Sequence, residues 1–232
     1  RYSYRVGISY DGTDYAGWQM QPDRPTIQLA MEQALARCLG GSRRQLGVSA
    51  AGRTDAGVHA AGQVVQFYSD AQLDTSRLPQ RLNRFLPHDI RAWSASRTAQ
   101  DFHVTISAVY HYSIDTGPLT FDPCGRLFRL HHRQHLDLEA MRAAAHLMVG
   151  RHDFSQFSNL GRPGRNPVKH VLRCDLVEGA GFLYKQVRHM VGALLAVGDG
   201  RMDAQVIRNA LATTGSTTHK PWTVAPAKVS ML

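Results

Sequence analysis

The predicted order of strands and helices is the feature that most limits what this chain can fold into. A half-buried strand comes first, indicated by apolar residues that alternate with polar or small ones: Tyr4, Val6, Ile8 and Tyr10. A helix over residues 27–39 follows, because its apolar residues recur at helical spacing. Thr26 is placed to cap this helix and Gly40 to end it.

Two extended segments, a short helix and a further strand complete the first half. The extended segments lie near residues 45–50 and 62–68. In the second of them, alternation is expected to set one face against the other: Gln63, Val65 and Phe67 against Val64 and Gln66. A helix through Leu78 and Leu82 then precedes a strand around residues 90–93. The resulting order, strand-helix-strand-strand-helix-strand, is the ferredoxin-like arrangement.

The second half repeats this order more loosely. Strands are predicted at 108–115, near 170–177, at 180–184 and over 223–229. Helices are predicted after Asp137 and ending at Gly150, around residues 187–195, and after Asp203. We therefore predict an α+β protein with two ferredoxin-like domains, residues 1–100 and 101–232, joined near residues 97–107.

Charge and cysteine content narrow the function classes. Lys and Arg number 27 against 18 Asp and Glu, a net charge of +9, which favours a polyanionic partner but is also compatible with a basic enzyme that binds no nucleic acid. Three widely spaced cysteines indicate neither a disulfide framework nor a thiolate zinc site. No apolar run is long enough to cross a membrane. We expect a cytoplasmic protein, or an organellar one if a leader preceded Arg1, and not a secreted one.

The densest group of small residues surrounds one carboxylate, in the segment AAGRTDAGVHAAGQVVQF at residues 50–67. Alanine and glycine at this density indicate that backbone comes close to another group. Arg53 and Asp55 are two residues apart, so in an extended chain they would share a face, and a guanidinium there would keep the carboxylate ionised and nucleophilic. The alternative is a surface turn in which Arg53 pairs with Asp55, and spacing alone does not decide between the two interpretations.

Aromatic and basic residues in the second half suit a nucleobase and its phosphates. Tyr110 and Tyr112 lie on one predicted strand, where one is expected to face a cleft and the other the core. Lys185, Arg188 and His189 line a predicted helix, and basic groups beside a stacking ring are typical of RNA binding. The alternative is an ordinary core tyrosine beside a solvated helix face.

Signatures of other chemistries are missing or weak. The sequence contains no P-loop, no GxSxG, no HExxH and no GxGxxG after a strand. His131 and His135 could bind a metal ion if they shared one helical face, but a solvated basic segment is the favoured interpretation.

Five motifs resemble those of the TruA family of tRNA pseudouridine synthases. They occur in that family's order and span nearly the whole chain: YDGTDYAGWQ at 10–19, GRTDAGVHA at 52–60, LNRFLPHDI at 82–90, DFH at 101–103 and VRHMVGALLAVG at 187–198. The second motif is the most specific of them. The chain departs from the family between His103 and Tyr110, where its segment is shorter than usual and lacks the basic residues expected before the tyrosine.

The resemblance implies a role for each matching residue. Asp55 corresponds to the nucleophile, Arg53 to the arginine that displaces the target nucleotide, Tyr110 to the tyrosine that stacks on uracil, and Arg188 to the partner of the aspartate. Tyr112 is the alternative candidate for the stacking role. Weaker RNA contacts are expected from three further residues: Lys185, His59 and His103.

The resemblance also implies an architecture and a substrate. The fold would be the pseudouridine synthase fold, two ferredoxin-like domains flanking a central cleft, assembled as a homodimer. The substrate would be the anticodon arm of tRNA at uridines 38–40, and neither a metal nor an organic cofactor would be used. The alternative is a catalytically impaired member of the family that acts as an RNA-binding or scaffold subunit.

Overall fold

A computed structural model describes the chain except at residues 105–107, 117–127, 160–165, 176, 180–181, 216, 218, 228 and 232. The chain divides into two compact units, Arg1–Ile106 with Ser230–Leu232, and Ser107–Val229. Both units combine helices and strands, so the α+β class is confirmed.

The first unit is built on an antiparallel sheet. Its elements are β1 Tyr2–Tyr10, α1 Ile27–Leu39, α2 Arg43–Leu46, β2 Ser49–Ala50, β3 His59–Ser69, α3 Leu78–Asn83 and β4 Ile90–Thr98. β1 lies between β4 and β3, and β2 pairs with the other side of β3. Near the beginning of β3, Ser230 pairs with His59 in parallel register.

Local signals account for the first helix. The Thr26 hydroxyl accepts a hydrogen bond from the Leu29 amide, and Gly40, at φ +75°, follows the last helical residue. The predicted bounds of α1 are therefore confirmed. Its apolar face packs with the inward residues of β1 and β3 into a core that includes Tyr4, Val6, Ile8, Met31, Leu35, Val65 and Phe67.

One prediction for the first unit is wrong in part. Within the strand predicted at 45–50, only Ser49–Ala50 is extended, because Ser42 donates to the Gln45 side chain and starts the short helix α2. Gln66 faces away from Val65 as expected but is only 2% exposed. Its amide binds the backbone of residues 102 and 104, which covers it.

The strands of the second unit pair antiparallel in the order β5-β9-β8-β7, with β6 parallel to β5. Its elements are β5 Ala108–Asp115, β6 Arg129–His131, α4 Leu138–Leu147, β7 Gly150–Asp153, β8 Val168–Cys174, β9 Val177–Gly179, α5 Gln186–Gly198 and α6 Ala204–Ala212. The last strand of the chain, β10, is Val229–Met231.

The predictions for this unit hold for most elements and fail at their ends. Asp137 caps α4 through its carboxylate, as expected, but the helix ends at Leu147 and Gly150 begins β7. Of the strand predicted at 180–184, the first two residues lie outside the described part of the chain, and residues 182–184 form no strand. The final strand, predicted at 223–229, is instead Val229–Met231. Within the described residues, no helix combines the length and apolar character needed to span a bilayer.

Candidate active site

Asp55 lies at the start of a tight turn in the loop between β2 and β3. The Val58 amide donates to the Asp55 carbonyl at 3.2 Å, and Gly57 provides the positive φ of +75° inside the turn. Asp55 is half-buried while Ala56 beside it is exposed. The carboxylate therefore belongs to a defined turn rather than to a strand.

The loop that follows β1 holds this turn through the backbone. The Trp18 amide donates to the Thr54 carbonyl at 2.9 Å, and the Gly57 amide donates to the Tyr15 carbonyl at 3.3 Å. A Cβ on Gly12 would lie 2.0 Å from the Val58 carbonyl oxygen, so only glycine fits there. The two motifs at 10–19 and 52–60 thus form one structure, and the expected close backbone approach is between these two loops.

Buried polar side chains also hold the loop that carries Asp55. The hydroxyls of Tyr10 and Thr54 lie 2.8 Å apart, and the Gln63 amide donates to the Gly52 carbonyl at 2.8 Å. Burial raises the pKa of Tyr10 to about 12, although its bonds to Thr54 and Gln63 oppose the shift. Sequence reasoning assigned these residues no role at the site. The available signal was a polar residue at an inward position of each strand.

His59 is buried between the loop that follows β1 and the beginning of β3. The residue is 2% exposed, and its Nδ1 lies 3.1 Å from Asp11 Oδ1 and 3.3 Å from the Gly12 amide. Burial raises the pKa of Asp11, but hydrogen bonds from Thr13 and the adjacent His59 outweigh this and leave it below its ordinary value. His59 therefore fixes the two loops together, and its expected contact with RNA stays a prediction.

Arg53 is exposed and makes no hydrogen bond or ion pair with any residue that the structure describes. Its guanidinium therefore forms no ion pair with the Asp55 carboxylate. The expectation required an extended chain, whereas β2 ends at Ala50 and residues 53–55 lie in a loop.

A cavity of about 270 Å³ adjoins the turn. Ala56 and Gly57 of the turn line it, and so do Asp14, Tyr15 and Arg24 from the loop after β1. The Tyr15 hydroxyl donates to Asp89 at 2.8 Å, which fixes that wall of the cavity. The exposed guanidinium of Arg24 supplies a cation at its edge.

In the second unit, Arg188 lies on α5 and is tied to residues 222–226, here called the 222–226 segment. Arg188 Nε donates to the Ala225 carbonyl at 2.7 Å, and the Ala225 amide donates back to the Arg188 carbonyl at 3.1 Å. A Cβ on Gly192 would lie 1.9 Å from the Thr223 carbonyl oxygen. Glycine at 192 therefore permits the segment to pack directly on α5.

His189 is buried rather than part of a basic helix face, which corrects the expectation for this residue. It is 1% exposed; Trp222 Nε1 donates to its Nδ1 at 3.2 Å, and its Nε2 lies 2.9 Å from Asn159 Oδ1. This pattern assigns the ring proton to Nε2. Burial, with further contributions from Lys220, Lys185 and Arg188, lowers the pKa of His189 to about 4, so the ring is neutral at pH 7.

Lys185 occupies an unusual backbone conformation at the N-cap of α5, with φ +59°. A left-handed conformation in a residue other than glycine costs about 1–3 kcal/mol and is found preferentially at functional sites. Its ammonium lies 5.2 Å from the centre of the exposed Tyr184 ring.

His103 is exposed, in the segment that Gln66 holds through residues 102 and 104.

The two tyrosines on β5 differ in their neighbours. Tyr110 is 9% exposed and contacts Phe182 edge-on at 5.4 Å. Tyr112 packs against the core cluster of Leu136, Val191, Leu195 and Ala225, and its hydroxyl donates to the Pro226 carbonyl at 3.1 Å. The expectation that they face opposite ways is wrong, because residues two apart on a strand share a face. Because core packing and a hydrogen bond already hold Tyr112, Tyr110 is the better candidate for stacking on a base.

The histidine cluster lacks the geometry proposed for a metal site. His131 ends β6 and His135 lies in a loop, so they do not share a helical face. In the described part of the chain, no group of three or more His, Cys, Asp or Glu side chains could hold a metal ion.

Comparisons with known proteins agree with the residue pattern. The family model described as tRNA pseudouridine synthase matches residues 7–106 and 144–230. A protein of Syntrophotalea carbinolica called tRNA pseudouridine synthase A is 43% identical over 84% of this chain and 81% of its own length. One of the same name from Chlamydia muridarum is also 43% identical, over 84% of this chain and 77% of its own length. A third, tRNA pseudouridine synthase A 1 of Protochlamydia amoebophila, is 39% identical over 84% and 81%.

The family model covers far more than half of the chain, and it includes the turn with Asp55 as well as helix α5 with Arg188. The relatives cover both units at high identity. The chain therefore belongs to the TruA family of tRNA pseudouridine synthases, which are isomerases.

Proposed function

We propose that Asp55 is the nucleophile in the conversion of uridine to pseudouridine at positions 38–40 of the tRNA anticodon arm. The observation that carries this proposal is a half-buried carboxylate at the start of a turn that main-chain bonds hold on both sides. A preorganised carboxylate of this kind can meet a ribose carbon without first rearranging.

The chemistry requires only one carboxylate. The C1′–N1 bond of uridine breaks, the uracil rotates, and C1′ bonds to C5, which loses its proton while N1 gains one. A glycoside hydrolase uses a second carboxyl group to protonate the leaving group or activate water. In this reaction the base leaves as a stabilised anion and returns as the attacking group. Asp55 either attacks C1′ or supports an oxocarbenium or glycal route.

Arg53 would stabilise the tRNA after the target nucleotide leaves the stack. Extracting a stacked base costs roughly a few kcal/mol, so a group that fills the vacated space lowers the cost of the open state. The exposed Arg53 guanidinium, which pairs with no described residue, supports this role.

Residues of the second unit would complete the site. Tyr110 would stack on the displaced uracil, an interaction worth about 1–3 kcal/mol. Arg188 would pair with the Asp55 carboxylate, and its bond to the Ala225 carbonyl supports a fixed orientation. Lys185 and His103 would contact the RNA backbone. His59 would act indirectly, by holding the loop that carries Asp55.

We also propose the finer architecture of the family for this chain. It comprises two ferredoxin-like domains, residues 1–100 and 101–232, a central cleft, and a homodimer. The strand order β4-β1-β3-β2 of the first unit, with α1 after the first strand and α3 after the third, supports a ferredoxin-like domain.

Mapping pseudouridine in an unmodified tRNA transcript tests the proposed function. After incubation with the wild-type protein, carbodiimide adducts should stop primer extension at one or more of positions 38–40. Asp55→Asn should abolish these stops, whereas Asp70→Asn, a change of an exposed carboxylate outside the motifs, should preserve them. An impaired scaffold subunit would instead bind tRNA and give no stops with any variant.

A further inference from the structure

Trp93 is the most exposed large apolar side chain of the first unit, with 58% of its surface open to solvent. It lies in an irregular part of β4, where the pairing with β1 shifts between Gly7 and Ile8. Such a bulge re-aims a side chain. Packing of the core does not require this tryptophan, because the residues of β4 that point into the core are Ile90 and Ala92.

The indole lies on the outer face of the sheet, on the side away from the core. Gly7 is between Val6 and Ile8, whose side chains are fully buried, so a side chain at residue 7 would point outward. A Cβ on Gly7 would lie 2.6 Å from Trp93 Cζ2. The ring therefore covers Gly7, and the absence of a side chain lets it approach the sheet closely.

The outer face around this ring carries positive charge and no carboxylate in its described strand positions. The outward residues of β1 alternate along the strand: Ser3, Arg5, Gly7 and Ser9. Their neighbours on β4 include Ser96 beside Arg5, Ser94 and Trp93 beside Gly7, and Arg91 beside Ser9. Arg5 is exposed, and its Nε donates to Ser96 Oγ at 2.8 Å, which holds the guanidinium on this face. Arg91 is exposed at the end of the strand that is nearer to the Asp55 loop.

We propose that this outer face, defined by Arg5, Gly7, Trp93 and Arg91, binds an unpaired nucleotide of the RNA substrate. An exposed indole offers a base a stacking surface, and nearby guanidinium groups attract phosphates. The lack of carboxylates among these described strand positions favours a polyanion over a basic or neutral protein surface. β1 ends at Tyr10, which contacts Thr54 of the Asp55 loop, so the end of this face that carries Arg91 is the end nearer to that loop. The inference rests on the proposed function.

Tryptophan fluorescence offers a direct test, because the other two tryptophans, Trp18 and Trp222, are 2% and 6% exposed. Quenching by acrylamide therefore reports mainly on Trp93. Adding unmodified tRNA should protect this residue from the quencher.

Trp93→Ala should raise the Kd for tRNA by about 5- to 100-fold, as expected for the loss of one stacked base. Trp93→Phe should restore most of the affinity, and Phe85→Ala, a change of another exposed aromatic of the same unit, should leave Kd unchanged.

Two further readouts separate this inference from its rivals. Trp93→Ala should leave the single-turnover rate at saturating tRNA unchanged, and Arg5→Ala should lower the slope of log K against log salt by about one. An unchanged Kd with reduced thermal stability would show that Trp93 only covers Gly7, and would overturn the proposal. Protection of wild-type Trp93 from acrylamide at high protein concentration without RNA, together with loss of dimerisation in Trp93→Ala, would assign the face to a second copy and also overturn it. Protection by tRNA without any pseudouridine formation would contradict the proposed function but not this surface.

Discussion

The turn that carries Asp55 and the helix that carries Arg188 are held in place by partly different means. Main-chain hydrogen bonds and glycine contacts fix the turn, notably at Gly12 and between Trp18 and Thr54. Around Arg188, a main-chain bond from the Ala225 amide and a glycine contact at Gly192 are joined by a buried polar network, with His189 between Trp222 and Asn159. The turn should therefore be sensitive to added volume, and the helix to the loss of one donor or to a change of charge.

The largest effect is expected from Gly12→Ala. The new Cβ would lie 2.0 Å from the Val58 carbonyl oxygen, so one of the two loops must move. Displacing a catalytic group by about 1 Å can cost on the order of 100-fold in rate. We expect a loss of this size in kcat. Gly40→Ala is a control for glycine replacement without a clash: its φ of +75° is unfavourable for alanine, a strain that Gly12 does not share, but no atom lies within 4 Å of the new Cβ. It should lower stability by about 1–2 kcal/mol and leave kcat unchanged.

Trp222→Phe tests the helix side of the comparison. Phenylalanine retains the stacking on Phe157, whose ring centre lies 4.7 Å away, but cannot donate to His189. The unmet acceptor costs about 1–3 kcal/mol, and we expect kcat to fall by roughly 10-fold with KM unchanged. In an Arg188→Lys background the same change should have a much smaller effect, because both act on the orientation of residue 188. Equal effects in both backgrounds would show that Trp222 does not act through Arg188.

Tyr10→Phe should have a smaller effect on catalysis. It removes the hydroxyl that contacts Thr54, while the bond between the Trp18 amide and the Thr54 carbonyl remains. We expect unfolding in urea to show a loss of about 1 kcal/mol, with little change in kcat. A fall in kcat as large as that of Gly12→Ala would show that side chains, and not the backbone, hold the turn.

The smallest expected effect is a dependence of stability on pH that His189 contributes. Its folded pKa of about 4 is below the ordinary 6.5, so between these values the unfolded chain binds a proton that the folded one does not. The contribution of His189 to stability is therefore complete above pH 6.5 and declines as the pH falls toward 4. Urea unfolding at pH 7 and pH 5 should show a smaller acid-induced loss in His189→Gln than in the wild type. Identical losses would contradict the assignment.

Sequence patterns predicted those features that depend on neighbouring residues. Thr26 and Gly40 bound α1 correctly because capping is local. The side-chain partners of Gln66 and His59 were not predictable, because they come from residues distant in sequence that only the fold brings together. The same holds for His189, whose helical position suggested a basic face until Trp222 and Asn159 covered it.

The account depends most on the role of Asp55, and release of tritium from C5 of labelled uridine in tRNA measures that role directly. C5 loses its hydrogen only when it bonds to C1′, so release reports the isomerisation itself. With enzyme in excess, the wild type should release the label in a single exponential phase. Asp55→Asn should bind tRNA with unchanged affinity and release none. Release by Asp55→Asn at the wild-type rate would contradict the account.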